Sequence, residues 1–126
     1  MKEVITRLDL DQEFETRERC FVTELCNSPD DPSASIARVR VAPGVTTRWH
    51  LLKDTIERYI ILEGAGRMEV GNLSAQVVNP GDVVIIPSSC PQRIANIGDA
   101  DLIFLAVCTP RFTNEIYEDM EDASGL

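Results

Sequence analysis

Residues 44–64 read GVTTRWHLLKDTIERYIILEG, and this stretch decides how the rest of the sequence is interpreted. It places the only histidine of the chain, His50, and an acid, Glu57, on strand-like sequence between two glycines. A second stretch, residues 80–98 (PGDVVIIPSSCPQRIANIG), carries further turn residues around short apolar runs. Because side chains two residues apart on a strand point to the same face, the two stretches predict polar groups that face the inside of a β-structure.

The sequence on both sides of these stretches also predicts short strands. Residues 35–41 alternate between polar and apolar side chains, which predicts a half-buried strand that ends at Pro43 and Gly44. Further strands, separated by glycine and proline turns, are predicted at 20–26, 46–52, 58–62, 66–70, 73–78, 83–86, 92–97 and 101–108. Many short strands with almost no helical periodicity predict an all-β barrel or sandwich.

The two ends of the chain differ from this pattern. Residues 1–19 carry mixed charge and predict a short edge strand or helical turn, and the prolines of residues 27–33 predict a loop. Near the end, Thr113 is a candidate cap for a short helix that has Glu115 in its first turn. The single domain is therefore divided into lead-in strands and a loop (1–35), a barrel (36–112), and a short C-terminal helix with an acidic tail (113–126).

Composition limits the class of protein. A chain of 126 residues forms one domain with its own core. The net charge of −9 disfavours nucleic acid and anionic membrane surfaces as partners. Residues 1–19 lack the apolar segment of a secretory signal, and the apolar runs are too short to span a bilayer. We therefore expect a soluble, cytoplasmic protein without nucleic-acid or membrane partners.

The four cysteines are expected to be free thiols that fill small apolar spaces. Cys20 and Cys26 on one strand would lie about 20 Å apart, beyond the reach of a disulfide. No CxxC pair or zinc-type spacing is present. Cys90 lies in a turn before Gln92, where it is either an inert thiol or, if the turn points inward, a thiolate donor.

At the level of motifs, the sequence resembles the cupin superfamily. For the first cupin motif the matching residues are Gly44, His50, Glu57 and Gly64, with Leu52 at the position of the second histidine. For the second motif they are Gly81, Pro87 and Asn96, with Ser89 in place of a glycine and Gln92 in place of a histidine. The resemblance implies a small single-domain cupin, that is, a jelly-roll or double-stranded β-helix barrel, which pairs into a homodimer.

The resemblance also implies where a metal would bind. In metal-binding cupins these histidines and the glutamate point into the barrel and bind manganese, nickel, zinc or iron. Here the matched set is reduced to His50, Glu57 and Gln92, since Leu52 cannot ligate. One imidazole instead of three predicts either a weakly held divalent ion or no metal, and both alternatives stay open.

Other side chains are candidates for ligand binding. Arg48 has the same strand parity as His50, so it either faces the pocket, where it would favour an anionic ligand, or forms an ion pair at the barrel rim. Tyr59 has the parity of Glu57 and forms either a pocket wall or part of the core. Arg111 reaches either the barrel mouth or a surface partner, and Trp49 is predicted to point outward.

Two functions are compatible with this sequence. The first is an enzyme of the lyase or isomerase type, in which His50 and Glu57 move a proton on a small polar molecule, anionic if Arg48 faces it. The second is a non-catalytic small-molecule-binding or sensor cupin without metal. Loss of two motif histidines favours the second, whereas retention of His50, Glu57 and a polar Gln92 favours the first.

Overall fold

The computed structural model describes residues 1–123. Its eleven strands form two antiparallel sheets. The strands are β1 (Phe14–Glu15), β2 (Phe21–Ser28), β3 (Asp31–Val41), β4 (His50–Leu52), β5 (Ile56–Glu63), β6 (Gly66–Val70), β7 (Gln76–Val78), β8 (Val83–Ile86), β9 (Gln92–Asn96), β10 (Leu102–Thr109) and β11 (Tyr117–Asp119). The sheet orders are β1-β2-β3-β10-β5-β8 and β11-β4-β9-β6-β7, so the predicted all-β jelly-roll fold is confirmed.

The core lies between the two sheets because each sheet turns one side chain in two toward the other. On β5 the buried residues are Glu57, Tyr59 and Ile61, and on β9 they are Gln92, Ile94 and Asn96. Apolar side chains from both sheets pack into one cluster that includes Val39, Ile61, Met68, Ile94 and Phe104. The polar residues at the start of β4, β5 and β9 are therefore directed inward by the same alternation that buries the core.

Residues 27–33, predicted to be a loop, form a hairpin instead. Strand β2 continues to Ser28 and β3 begins at Asp31, and these two residues are paired. Only Pro29 and Asp30 make the turn, where the fixed φ of proline suits the first central position. The barrel sheet therefore begins earlier than residue 36.

The predicted short C-terminal helix is present, but it begins later in the chain than predicted. A short 3₁₀ turn (Asn114–Ile116) leads into β11, and only Met120–Ala123 are helical. Thr113 makes no capping hydrogen bond with its side chain. Pairing with the free edge of β4 overrides the local helical preference, because an edge strand offers unpaired backbone groups. Residues 124–126 of the predicted tail lie outside the described residues.

The four cysteines are free thiols, as predicted, and Cys20 and Cys108 are buried. Within residues 1–123, helices are few and short, and none has the length and apolar character needed to cross a membrane.

Gly64 is expected to be a stability-determining turn residue. It has φ +83°, and an added Cβ would lie 2.7 Å from the Asp101 carbonyl oxygen, whereas Gly44 (φ +79°) has open space around it. Gly44→Ala should therefore cost about 1 kcal/mol of unfolding free energy for backbone strain, and Gly64→Ala about 3 kcal/mol because the backbone must also move. Urea denaturation of both variants checks this difference, and equal losses would contradict it.

Candidate functional site

His50 begins β4 and is only 2% exposed. Its Nδ1 lies 2.7 Å from the Arg48 carbonyl oxygen. A carbonyl oxygen can only accept, so Nδ1 carries the hydrogen and, in the neutral ring, Nε2 keeps the lone pair. That Nε2 lies 3.8 Å from Oε2 of Glu18. The sequence-predicted histidine is thus fixed in one tautomer and faces an acid from the N-terminal segment.

Glu57 lies on β5 and is 8% exposed. Its Oε1 accepts a hydrogen bond from Nε2 of Gln92, and its Oε2 lies 3.7 Å from the thiol of Cys108, which is opposite it on β10. Burial raises the pKa of Glu57 to about 7, against the opposing effects of the Gln92 hydrogen bond and the His50 ring. Burial also raises the pKa of Cys108, which keeps the thiol protonated as a donor. Glu57 therefore has only neutral hydrogen-bonding partners.

Gln92 begins β9, pairs with His50 across the sheet, and is 0% exposed. Its amide nitrogen binds Glu57, while its Oε1 has no hydrogen-bonding partner in the described chain. The structure therefore brings Glu57 and Gln92 into direct contact, and leaves one buried acceptor beside them.

These residues do not fit a metal centre. Among the side chains that the structure describes, in residues 1–121, no group of three His, Cys, Asp or Glu could hold a metal ion. The oxygens of Glu57 are engaged by Gln92 and Cys108, and Gln92 presents an N–H rather than a lone pair to it. His50 directs its Nε2 toward Glu18. Leu52 is a buried apolar side chain and offers no lone pair. Divalent metals suit converging imidazole and carboxylate lone pairs, which this set does not provide.

A cavity of about 550 Å³ opens beside Glu57. Of the sequence-predicted site residues, Glu57 and Tyr59 line it, whereas His50 and Gln92 lie behind its wall. The ring centres of Tyr59 and Phe104 lie 4.2 Å apart, so Tyr59 is part of both the cavity wall and the core.

Glu18 is a site residue that the sequence did not reveal. Its amide donates to Thr16 Oγ1 and its carbonyl accepts from the Arg48 amide, which fixes the loop before β2 over the barrel. Its side chain lines the cavity and is 24% exposed. Burial raises the pKa of Glu18 to about 7, with Arg17 opposing and Asp119 adding to the rise. Glu18 is one of six acids in a segment without periodicity, so no sequence signal separates it from the others.

Tyr117, on β11, is the second residue that sequence reasoning missed. Its ring stacks on His50 with 5.1 Å between ring centres and an interplanar angle of 22°. The Arg17 guanidinium lies 5.2 Å from the centre of the same ring. Its hydroxyl is buried without a hydrogen-bonding partner in the described chain. The C-terminal strand therefore separates His50 from the cavity.

Arg48 does not line the cavity. Its Nε lies 2.7 Å from Asp119 Oδ2, and its Nη2 lies 3.5 Å from Glu121 Oε2. This arrangement corresponds to the ion pair at the rim, one of the two alternatives for Arg48, so Arg48 gives no reason to expect an anionic ligand.

The remaining candidates also lie outside the cavity wall. Trp49 is half-buried beneath the guanidinium of Arg93, which lies 5.4 Å from its ring centre. Arg111 donates to Asn27 Oδ1 at 2.9 Å. Cys90 is half-buried, and burial raises its pKa, so its thiol is not a poised donor.

Comparison with known proteins agrees with this architecture. The cupin-domain family profile matches residues 37–108. The uncharacterized protein MJ1618 of Methanocaldococcus jannaschii is 32% identical over 123 residues, which are 96% of this chain and 98% of that protein.

Solved structures show the same fold. KdgF from Halomonas sp. superposes with a TM-score of 0.76 at 14% identity, covering 86% of this chain and 96% of its own. A predicted oxalate decarboxylase from Thermotoga maritima superposes with a TM-score of 0.65 at 29% identity, covering 72% of this chain and 80% of its own. The family match, the two-sheet barrel and the spacing of the motif residues together make this chain a member of the cupin family.

Proposed function

We propose that this cupin is an enzyme that binds a small organic molecule in the barrel cavity and transfers a proton with Glu57, in a reaction of the lyase or isomerase type. One observation supports it most: Glu57 lines the cavity, is held only by neutral partners, and has a pKa of about 7. A carboxyl group with a pKa near neutrality can both accept and return a proton under cellular conditions.

The surrounding residues have distinct roles in this proposal. Gln92 and Cys108 each donate to one carboxyl oxygen and so fix its orientation. The apolar wall, which includes Phe104 and Phe112, keeps water away from the reacting group. Glu57 would take a proton from a C–H or O–H group of the ligand and return it to a neighbouring atom or to a leaving group. His50, behind the wall, would position Glu18.

The proposal uses neither a metal ion nor an anionic substrate. The donor set does not fit a divalent metal, as described above. A dicarboxylate such as the substrate named for the Thermotoga maritima protein would meet the carboxyls of Glu18 and Glu57, and the one arginine of the cavity wall, Arg17, packs on the ring of Tyr117. We therefore do not extend that activity to this chain.

The alternative is a non-catalytic small-molecule-binding or sensor cupin. Leu52 and Gln92 stand at two motif histidine positions, and this loss of imidazoles favours a role without chemistry. The alternative shares the cavity with the enzyme but assigns no proton transfer to Glu57.

Deuterium exchange separates the two functions. The protein is incubated in D₂O near neutral pH with a panel of small hydroxy, carbonyl and amino compounds, and proton NMR follows loss of C–H signals or appearance of eliminated products. We expect exchange or conversion of at least one compound, slowed by about 100-fold or more in Glu57→Gln. Glu63→Gln, at the exposed far end of β5, is the matched control and should retain the wild-type rate. Compounds that bind without any exchange or conversion would favour the non-catalytic alternative.

A further inference from the structure

Two carboxyl groups face the cavity from distant parts of the sequence, Glu18 from the loop before β2 and Glu57 from β5. Neither forms an ion pair with a lysine or arginine in the described chain. The partners of Glu57 are the Gln92 amide and the Cys108 thiol, and Oε2 of Glu18 lies 3.8 Å from His50 Nε2. The acids therefore share a cavity without a cation bound to either of them.

Burial without such a cation is unfavourable for a carboxylate. Burial is the main reason why the pKa of each acid is raised, and the charge of Glu18 raises the pKa of Glu57 further. A positive charge between the two groups would favour their ionised forms and offset this cost.

A further unpartnered acceptor lies behind the cavity wall, next to Glu57. The Gln92 side chain is 0% exposed, its nitrogen binds Glu57, and its Oε1 is unpartnered in the described chain. Because the oxygen and nitrogen of one amide are close neighbours, this acceptor adjoins the Glu57 carboxyl. Gln92 does not line the cavity, so the acceptors that a ligand meets are the carboxyl oxygens of Glu18 and Glu57, and their complement is a group that only donates, such as an ammonium with three N–H donors.

The rest of the cavity favours an organic cation over a bare ion. Its volume of about 550 Å³ is that of a site for a small organic ligand. Aromatic side chains contribute to its walls, and aromatic faces attract ammonium groups: these are Phe14, Tyr59, Phe104 and Phe112. Among the charged residues of the wall, the acids Glu18, Glu24 and Glu57 outnumber the single base, Arg17.

From these contacts we infer that the cavity takes a small organic amine with an apolar body, whose ammonium group lies between Glu18 and Glu57. The inference rests on the proposed function in that it assigns the ligand to the same cavity. It adds Glu18, which lies outside the cupin motifs, as a ligand-binding residue.

Benzylamine is a suitable probe, with benzyl alcohol and benzoate as neutral and anionic analogues of similar shape and MnCl₂ as the metal arm. Binding is measured by calorimetric titration near pH 7.5 at low salt. We expect benzylamine to bind with a Kd on the order of 1 mM, as a good small fragment does, and benzoate and Mn²⁺ to bind at least about 10-fold more weakly. Glu18→Gln and Glu57→Gln should each weaken benzylamine binding by about 10-fold or more, whereas Glu63→Gln should leave it unchanged.

A second readout does not depend on the variants. His50 is the only histidine, and its Nε2 lies 3.8 Å from Glu18, so its NMR signal should move during the benzylamine titration. The inference is overturned if benzylamine does not bind at about 10 mM, if benzoate or Mn²⁺ binds more tightly, or if neither glutamine variant weakens benzylamine binding. Binding as expected without deuterium exchange would reject the proposed proton transfer and leave the amine site standing.

Discussion

Glu57→Gln is expected to raise the free energy of unfolding by about 2–3 kcal/mol near pH 8 and to change it little near pH 5. The carboxyl has a pKa of about 7 in the folded chain, against an ordinary value of 4.5. Folding therefore favours its protonated form. The stability that this group contributes is fully present below about pH 4.5 and is lost as the pH rises through 7. An uncharged amide of the same shape removes that loss.

The neighbouring amide can accommodate the change. Gln92 now donates to Glu57, and turning its amide over would let its unpartnered Oε1 accept from the new side-chain N–H₂. The substitution therefore leaves no additional buried group without a partner, which is the usual cost of such a change.

Urea denaturation of both proteins from about pH 5 to about pH 8 measures this effect. The wild type should lose stability over this range, and Glu18 should contribute in the same direction because its pKa is also about 7. In Glu57→Gln the slope should be reduced, while in the exposed Glu63→Gln variant it should match the wild type. If the free energy of unfolding fell equally with pH in the wild type and in Glu57→Gln, the buried carboxyl would not be destabilising. The expected gain would instead mean that the chain retains an acid in its cavity at the expense of stability, as functional sites often do.

The fold could be predicted from the sequence because its signals are local. Alternation along a strand directs Glu57 and Gln92 inward, and the glycine and proline turns separate the strands. The motif residue Asn96 has a structural role of this local kind. Its amide nitrogen donates to the Val41 and Ala100 carbonyls, and its oxygen accepts from the Gly98 amide, so it holds a turn rather than a ligand.

The site was less predictable because two of its residues, Glu18 and Tyr117, come from segments outside the cupin motifs. Glu18 reaches the cavity through the hydrogen bond between its carbonyl and the Arg48 amide, a contact that no local pattern encodes. Tyr117 reaches His50 because β11 pairs with the edge of β4, where the candidate cap Thr113 and the first-turn acid Glu115 had predicted a helix. The alternation of side chains along the strand correctly predicted that His50 faces inward. It could not show that other side chains separate the imidazole from the cavity.

Tyr117→Ala is expected to lower the free energy of unfolding by about 3 kcal/mol, since it removes a large ring packed in a partly buried site. It should also uncover the His50 imidazole, which is now 2% exposed beneath that ring. Diethyl pyrocarbonate, which acylates an unprotonated imidazole nitrogen, reports this directly because the chain has one histidine. We expect the ultraviolet signal of acylated His50 to appear at least about 10-fold faster in the variant, as loss of about 1.4 kcal/mol of protection would give.

Tyr117→Phe is the matched control, because it keeps the stacked ring and removes only a hydroxyl without a hydrogen-bonding partner in the described chain. Its stability should equal or slightly exceed that of the wild type, and His50 should stay protected. If His50 remained equally slow to react in Tyr117→Ala, the Glu18 loop rather than the C-terminal strand would be its cover. Faster reaction in Tyr117→Ala alone would show that a strand added at the end of the chain decides whether the motif histidine can meet a ligand.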